Sequence, residues 1–116
     1  MEVFAFNDLL EPGPPARVLA RVHFLNTSEG GRASPVSGVY RPNHNFGALD
    51  GRQFYIGQVE LPNGLRLLPG DTYDLYITFL NGSHLTKHLH VGRCWRIQEG
   101  ARHVATAEVL VLLSEP

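Results

Sequence analysis

The sequence holds 116 residues, 43% of them apolar and 18% charged, with ten basic and eleven acidic side chains and a net charge of −1. Such a composition excludes a disordered chain and suits one domain with a single core. It also argues against nucleic-acid binding by bulk phosphate neutralisation, which requires a basic excess.

Residues 1–15 read as a lead segment, and residues 16–116 as the domain. Val3, Phe4, Phe6, Leu9 and Leu10 suit either a strand or a helical turn, and Glu11-Pro12-Gly13-Pro14-Pro15 then breaks regular structure. From there alternation takes over. Val18, Ala20, Val22 and Phe24 share one face, opposite Arg17, Arg21 and His23. Tyr73, Leu75, Ile77 and Phe79 repeat the pattern, opposite Asp74, Tyr76 and Thr78. The last run, Val104 to Leu113, is apolar on both faces toward its end, which predicts a central strand.

Turn signals separate these runs: Glu29-Gly30-Gly31, Pro42-Asn43, Pro62-Asn63-Gly64, Pro69-Gly70-Asp71, Asn81-Gly82 and Glu99-Gly100. Asn63-Gly64 and Asp50-Gly51 are hairpin signals, because both positions tolerate positive φ. Roughly six or seven strands at this spacing predict a small barrel or sandwich.

Chemical motifs are scarce. Cys94 is alone, so it forms no intramolecular disulfide; it reads either as a nucleophile beside a histidine or as a small core or half-buried residue. There is no signal-peptide pattern and no bilayer-length apolar run, which leads to a cytoplasmic expectation without membrane contact. Asn26-Thr27-Ser28 and Asn81-Gly82-Ser83 are then only turns. No Gly-x-x-x-x-Gly-Lys loop, Gly-x-Ser-x-Gly elbow or carboxylate pair is present. The chain is therefore expected to be no enzyme, to bind no nucleotide and to need no cofactor.

Histidine is the suggestive residue type. His88 and His90 are expected on one strand face as a His-x-His metal pair, with His84 as third ligand if its loop folds back; the alternative is a solvated loop. Nine of the ten basic residues are arginine, which suits bidentate contacts, although genome composition explains the bias as well. Tyr40, Phe46, Tyr55, Tyr76 and Trp95 are either recognition aromatics or, for most of them, core. Arg93, Trp95 and Arg96 form either an RNA clamp or a solvated face with one buried tryptophan.

Five blocks stand in a particular order. They are Glu29-Gly30-Gly31-Arg32, followed by Pro35 and Gly38; Tyr40-Arg41-Pro42; Val59-Glu60-Leu61-Pro62-Asn63-Gly64; Leu68-Pro69-Gly70-Asp71; and Gln98-Glu99-Gly100-Ala101-Arg102. Together, over roughly residues 16 to 113, the chain resembles the C-terminal barrel (domain 3) of elongation factor Tu, without the GTPase. The resemblance implies an all-β, six-stranded antiparallel closed barrel with a short N-terminal extension. Gly30 and Gly31 are expected at positive φ, Pro42 at the exit of a short strand, and Glu99 to Arg102 in the final hairpin between Arg93 and Leu113.

By the same resemblance the chain is a non-catalytic, translation-related binding module. Its partner is a protein, most readily a translation factor, or tRNA-like RNA held by its backbone. Arg41 and Glu60 match positions where the family meets tRNA: Arg41 for a phosphate or a domain contact, Glu60 as acceptor from a 2′-hydroxyl. Arg32, Tyr40 and Arg102 complete the implied set. Departures fall on docking surfaces. Residues Asn43 to Arg52 lack the family's arginine-threonine element, Gly82 to Val91 is longer and histidine-rich, and Ala101 replaces a glycine. These changes favour a second function, that of a decoy or immunity-type protein-interaction module.

Overall fold

The alternating run Ala16–Phe24 folds as strand β1, with Ala16, Val18, Ala20, Val22 and Phe24 all inside. The computed structural model describes residues 15–47, 54–80, 85 and 88–114. Five further strands follow: β2 (Asn43–Asn45), β3 (Tyr55–Val59), β4 (Thr72–Phe79), β5 (Cys94–Glu99) and β6 (Arg102–Ser114). All pairings are antiparallel, and they close in the order β1-β4-β3-β2-β5-β6. The fold is therefore the expected six-stranded antiparallel closed barrel. In Greek-key fashion β2, β3 and β4 are consecutive neighbours, and β1 lies beside β4 after a long connection. Among the described residues no helix is long and apolar enough to cross a membrane. Apart from Pro15, the lead segment lies outside the described residues.

Alternation holds on β4 as well. Leu75, Ile77 and Phe79 point inward, while Asp74 and Tyr76 are exposed. Phe24 and Phe79 are among the largest fully buried side chains; by area, burying each stabilises the fold by roughly 1.5–3 kcal/mol. Phe79 sits against His44, Phe46 and Trp95, so the barrel is filled by rings from β2, β4 and β5 and the residue following β2.

Several local expectations need correction. Of the first glycine pair only Gly30 has positive φ (93°). Gly31 is required for space instead, since a Cβ there would stand 2.5 Å from the Leu25 carbonyl oxygen. Pro42 precedes a strand rather than ending one. Tyr40 makes an isolated bridge to Val59, and β2 begins at Asn43, because proline offers no N–H for the ladder between them. Pro62-Asn63-Gly64 does form a turn, with Leu65 N–H donating to the Pro62 carbonyl at 2.9 Å. It does not close a tight hairpin, however: it lies inside the long connection from β3 to β4, which the Val36–Leu67 bridge pins down. Asp50-Gly51 falls outside the described residues.

The end of β6 is not buried on both sides. Two register shifts against β1 leave Leu110 and Leu113 as extra residues, and Val111 and Leu113 face outward, 42% and 44% exposed. The final hairpin forms as expected between Glu99 and Arg102, with Gly100 at φ 61°.

Candidate binding site

The Tyr40–Val59 bridge sets the geometry around Arg41. The Tyr40 ring is buried, so the period of two turns Arg41 outward, where its Nε donates to Gln58 Oε1 at 2.9 Å. Gln58 and Thr78 face each other across β3 and β4, and Glu60 follows β3 with its N–H on the Tyr76 carbonyl. These residues meet in one cleft of about 380 Å³, lined by Arg41, Gln58, Glu60 and Thr78 with Pro15, Ile56 and Leu80. That volume falls within the roughly 300–1,000 Å³ typical of ligand sites. Arg41 and Glu60, expected to act together, are thus brought to one wall.

Glu60 is nonetheless largely occupied. Arg17 holds it with two prongs, Nη2 to Oε1 at 2.9 Å and Nε to Oε2 at 3.0 Å, and Thr78 Oγ1 donates to Oε2 at 3.0 Å. The Arg17 hydrogen bonds are the main cause of a Glu60 pKa below the usual carboxylate range; desolvation opposes them and Thr78 adds to them. Arg17 also lies over the Tyr76 ring, 4.3 Å from its centroid. The pair is about 40% exposed on each side, so it fixes geometry more than it adds stability. Among the described residues, Arg41 is the cation of this cleft left unmatched by a carboxylate.

Arg32 and Tyr40 belong to a different place. They converge on Glu99 at the end of the barrel where β1 leaves and the β5–β6 hairpin turns. Arg32 Nη1 and the Tyr40 hydroxyl (2.6 Å) both donate to Glu99 Oε2, while Arg32 Nε donates to the Ser34 carbonyl at 3.0 Å. Burial first, and then the Glu99 carboxylate, push the Tyr40 phenol well above its ordinary range. The cluster ties the loop after β1 to the final hairpin. It therefore works as a clamp within the chain, in which Arg32 and Tyr40 are both engaged. Arg102 is exposed opposite Glu99 in register and joins neither group by hydrogen bond or ion pair among the described residues. Glu99 had been legible only as part of a turn; its partners lie 59 and 67 positions away.

His44 is the polar residue that sequence reasoning missed. It is completely buried, and Trp95 Nε1 donates to its Nδ1 at 3.0 Å. The proton must then sit on Nε2, which donates to the Gly57 carbonyl at 3.0 Å. Burial lowers its pKa to about 4, against a smaller opposing pull from that carbonyl. Beside it, Asn45 Nδ2 donates to Gln98 Oε1 at 2.7 Å, also inside. This is a satisfied internal network, closed to a ligand.

The other histidines do not assemble as expected. His88 and His90 lie on no strand. The His88 and Leu89 N–H groups both donate to the Leu85 carbonyl. His88 stacks on Phe46 with centroids 5.3 Å apart, whereas His90 is exposed. His84 lies outside the described residues, among which no group of three His, Cys, Asp or Glu side chains converges. Cys94 is exposed, not a core or half-buried residue, because it begins β5 on the outward side of buried Trp95. Trp95 points inward, and Arg93 and Arg96 donate to the carbonyls of Phe46 and Gly47, so this trio anchors a loop and presents no stacking surface. Of the aromatics considered for recognition, Tyr76 alone is exposed.

No protein-family model matches the chain.

Proposed function

We propose that the chain is a stand-alone binding barrel of the elongation factor Tu domain-three kind, acting in the cytoplasm without catalysis. Its docking wall is the outer face of β3 and β4 around Arg41, and its partner is a protein. One observation carries this reading: Arg41 and Glu60 share one cleft, in which Glu60 is neutralised by Arg17 and, among the described residues, Arg41 meets no carboxylate. An unmatched arginine beside apolar Ile56 and Leu80 suits a protein surface that offers a carboxylate next to an apolar side chain.

The order of turn words along the chain supports the translation-factor likeness, and the Greek-key closed barrel is compatible with it. RNA is the weaker partner for two physical reasons. Three of the roughly four acceptor positions on Glu60 are taken, which leaves little for a 2′-hydroxyl. The net charge of −1 adds no electrostatic pull on phosphate.

Capture from cell lysate on the immobilised chain, beside an Arg41→Ala variant and a tRNA titration at low and raised salt, tests the reading. A protein is expected to be retained, and retention to fall about tenfold with the variant, as for the loss of roughly 1.4 kcal/mol. Capture unaffected by the substitution removes Arg41 from the interface. Tight tRNA binding that weakens steeply with salt replaces the protein partner with RNA.

A further inference from the structure

A second cleft lies along the chain from the first. Two antiparallel bridges, Val36–Leu67 and Tyr40–Val59, pin the residues before β2 against the connection that follows β3. Between the bridges the two backbones part around a space of about 400 Å³, with Ser37 and Gly38 on one side and Leu61, Leu65 and Arg66 on the other. The parting has a local cause. Gly38 sits at φ 73°, where a β-strand cannot continue, and the turn from Pro62 to Leu65 draws the opposite backbone aside. Among the described residues, the backbone N–H and C=O groups of Ser37, Gly38 and Val39 make no hydrogen bond, and the Arg66 guanidinium meets no carboxylate. They are open to an external partner.

The bridging side chains Val36, Tyr40, Val59 and Leu67 are buried, and their neighbours Ser37, Val39, Arg41 and Arg66 are exposed, Val39 by 73%. Arg41 and Arg66 thus stand at the two ends of one outer row, with Val39 between them. Arg66 is level with Ser37, and Arg41 lies four residues further on, a span of up to roughly 13 Å. We propose that this row is the docking groove for an extended acidic peptide segment of the partner, with one carboxylate on Arg41, an apolar side chain on Val39 and a second carboxylate on Arg66. The inference rests on the protein-partner reading above and deepens it by naming the partner's docking element. Charge selects the acid: no carboxylate lines the second cleft, and Glu60 in the first is already held by Arg17. The unbonded main-chain groups select an extended segment over a helix, whose own N–H and C=O groups are spent internally.

The test is an amide NMR titration of the full chain with two synthetic peptides. One is N-acetyl-Thr-Glu-Thr-Val-Thr-Glu-Thr-amide, with its carboxylates four residues apart; the other carries Gln in place of both Glu. The acidic peptide is expected to shift the Val39 and Arg66 amides and to bind about tenfold more tightly than its Gln counterpart. Arg41→Ala and Arg66→Ala should each weaken it severalfold; both side chains are exposed, so the barrel stays folded, which unmoved Val22 and Ile77 amides verify. Equal affinity for the two peptides, or binding of neither, overturns the groove whatever lysate capture shows. Weakening in Arg41→Ala but not in Arg66→Ala overturns the groove and leaves the Arg41 reading standing. Weakening in Arg66→Ala alone overturns both. A short single-stranded RNA that shifts the same amides and binds more tightly replaces the acidic peptide with phosphate and also overturns the proposal.

Discussion

Arg32 and Arg41, nine positions apart in the sequence, end in opposite situations. Arg32 is half-buried and spent on a carboxylate and carbonyls of its own chain, in company with Tyr40. Arg41 is exposed and, among the described residues, holds a neutral amide. Inside the barrel His44 follows the first pattern, with both ring nitrogens engaged. Polar groups turned inward are consumed by the fold, and the group left with something to offer stands on the outer wall. A residue type proposed for recognition thus proves structural or available according to the face it lands on.

The largest test of that contrast is pH. His44 has a folded pKa of about 4, below its ordinary 6.5, so between these values the unfolded chain binds the extra proton. Stability is therefore full above pH 6.5 and falls as pH drops toward 4, by about 3 kcal/mol in total. Urea midpoints measured across that range should follow the slope, and His44→Gln should flatten it whatever it does to the absolute value. A slope unchanged in the variant would mean that His44 is not held neutral. Glu60, with its depressed pKa, acts over a lower window, below its ordinary 4.5, and is separable on that ground.

Next in size is Glu99→Ala, which strips both Arg32 and Tyr40 of their shared acceptor. Breaking a fully buried pair costs about 3–5 kcal/mol; with side chains here 22% and 32% exposed, about 2 kcal/mol is expected by chemical denaturation. A cost under about 0.5 kcal/mol would show the clamp to be ornamental. Glu60→Gln, in the exposed pair with Arg17, should cost less than about 1 kcal/mol and lose most of that difference at high salt. Smallest is Arg41→Ala, expected within about 0.5 kcal/mol of wild type by the same assay while capture of a partner collapses. A large loss of stability would move Arg41 into the structural group with Arg32.

The main strands were legible because their signals are local. Alternation in Ala16–Phe24 and Thr72–Phe79 specifies which side chains enter the core, and the sequence around Gly100 specifies a hairpin. The site was legible only in part. Arg41 and Glu60 could be named from their surrounding words, but Arg17, which neutralises Glu60 from 43 positions away, carries no sequence mark of that role. His44 read as one polar residue in a loop; the aromatic cage that buries it comes from Phe79 and Trp95.

Local periodicity and turn chemistry, then, were enough to mark the main strands and their inward faces, because each depends on residues within a few positions of one another, while barrel and sandwich both stayed open. Which arginine is spent and which is available depends on carboxylates, amides and rings brought together from distant strands. Short-range sterics write the first into the chain; the second exists only once the barrel has closed.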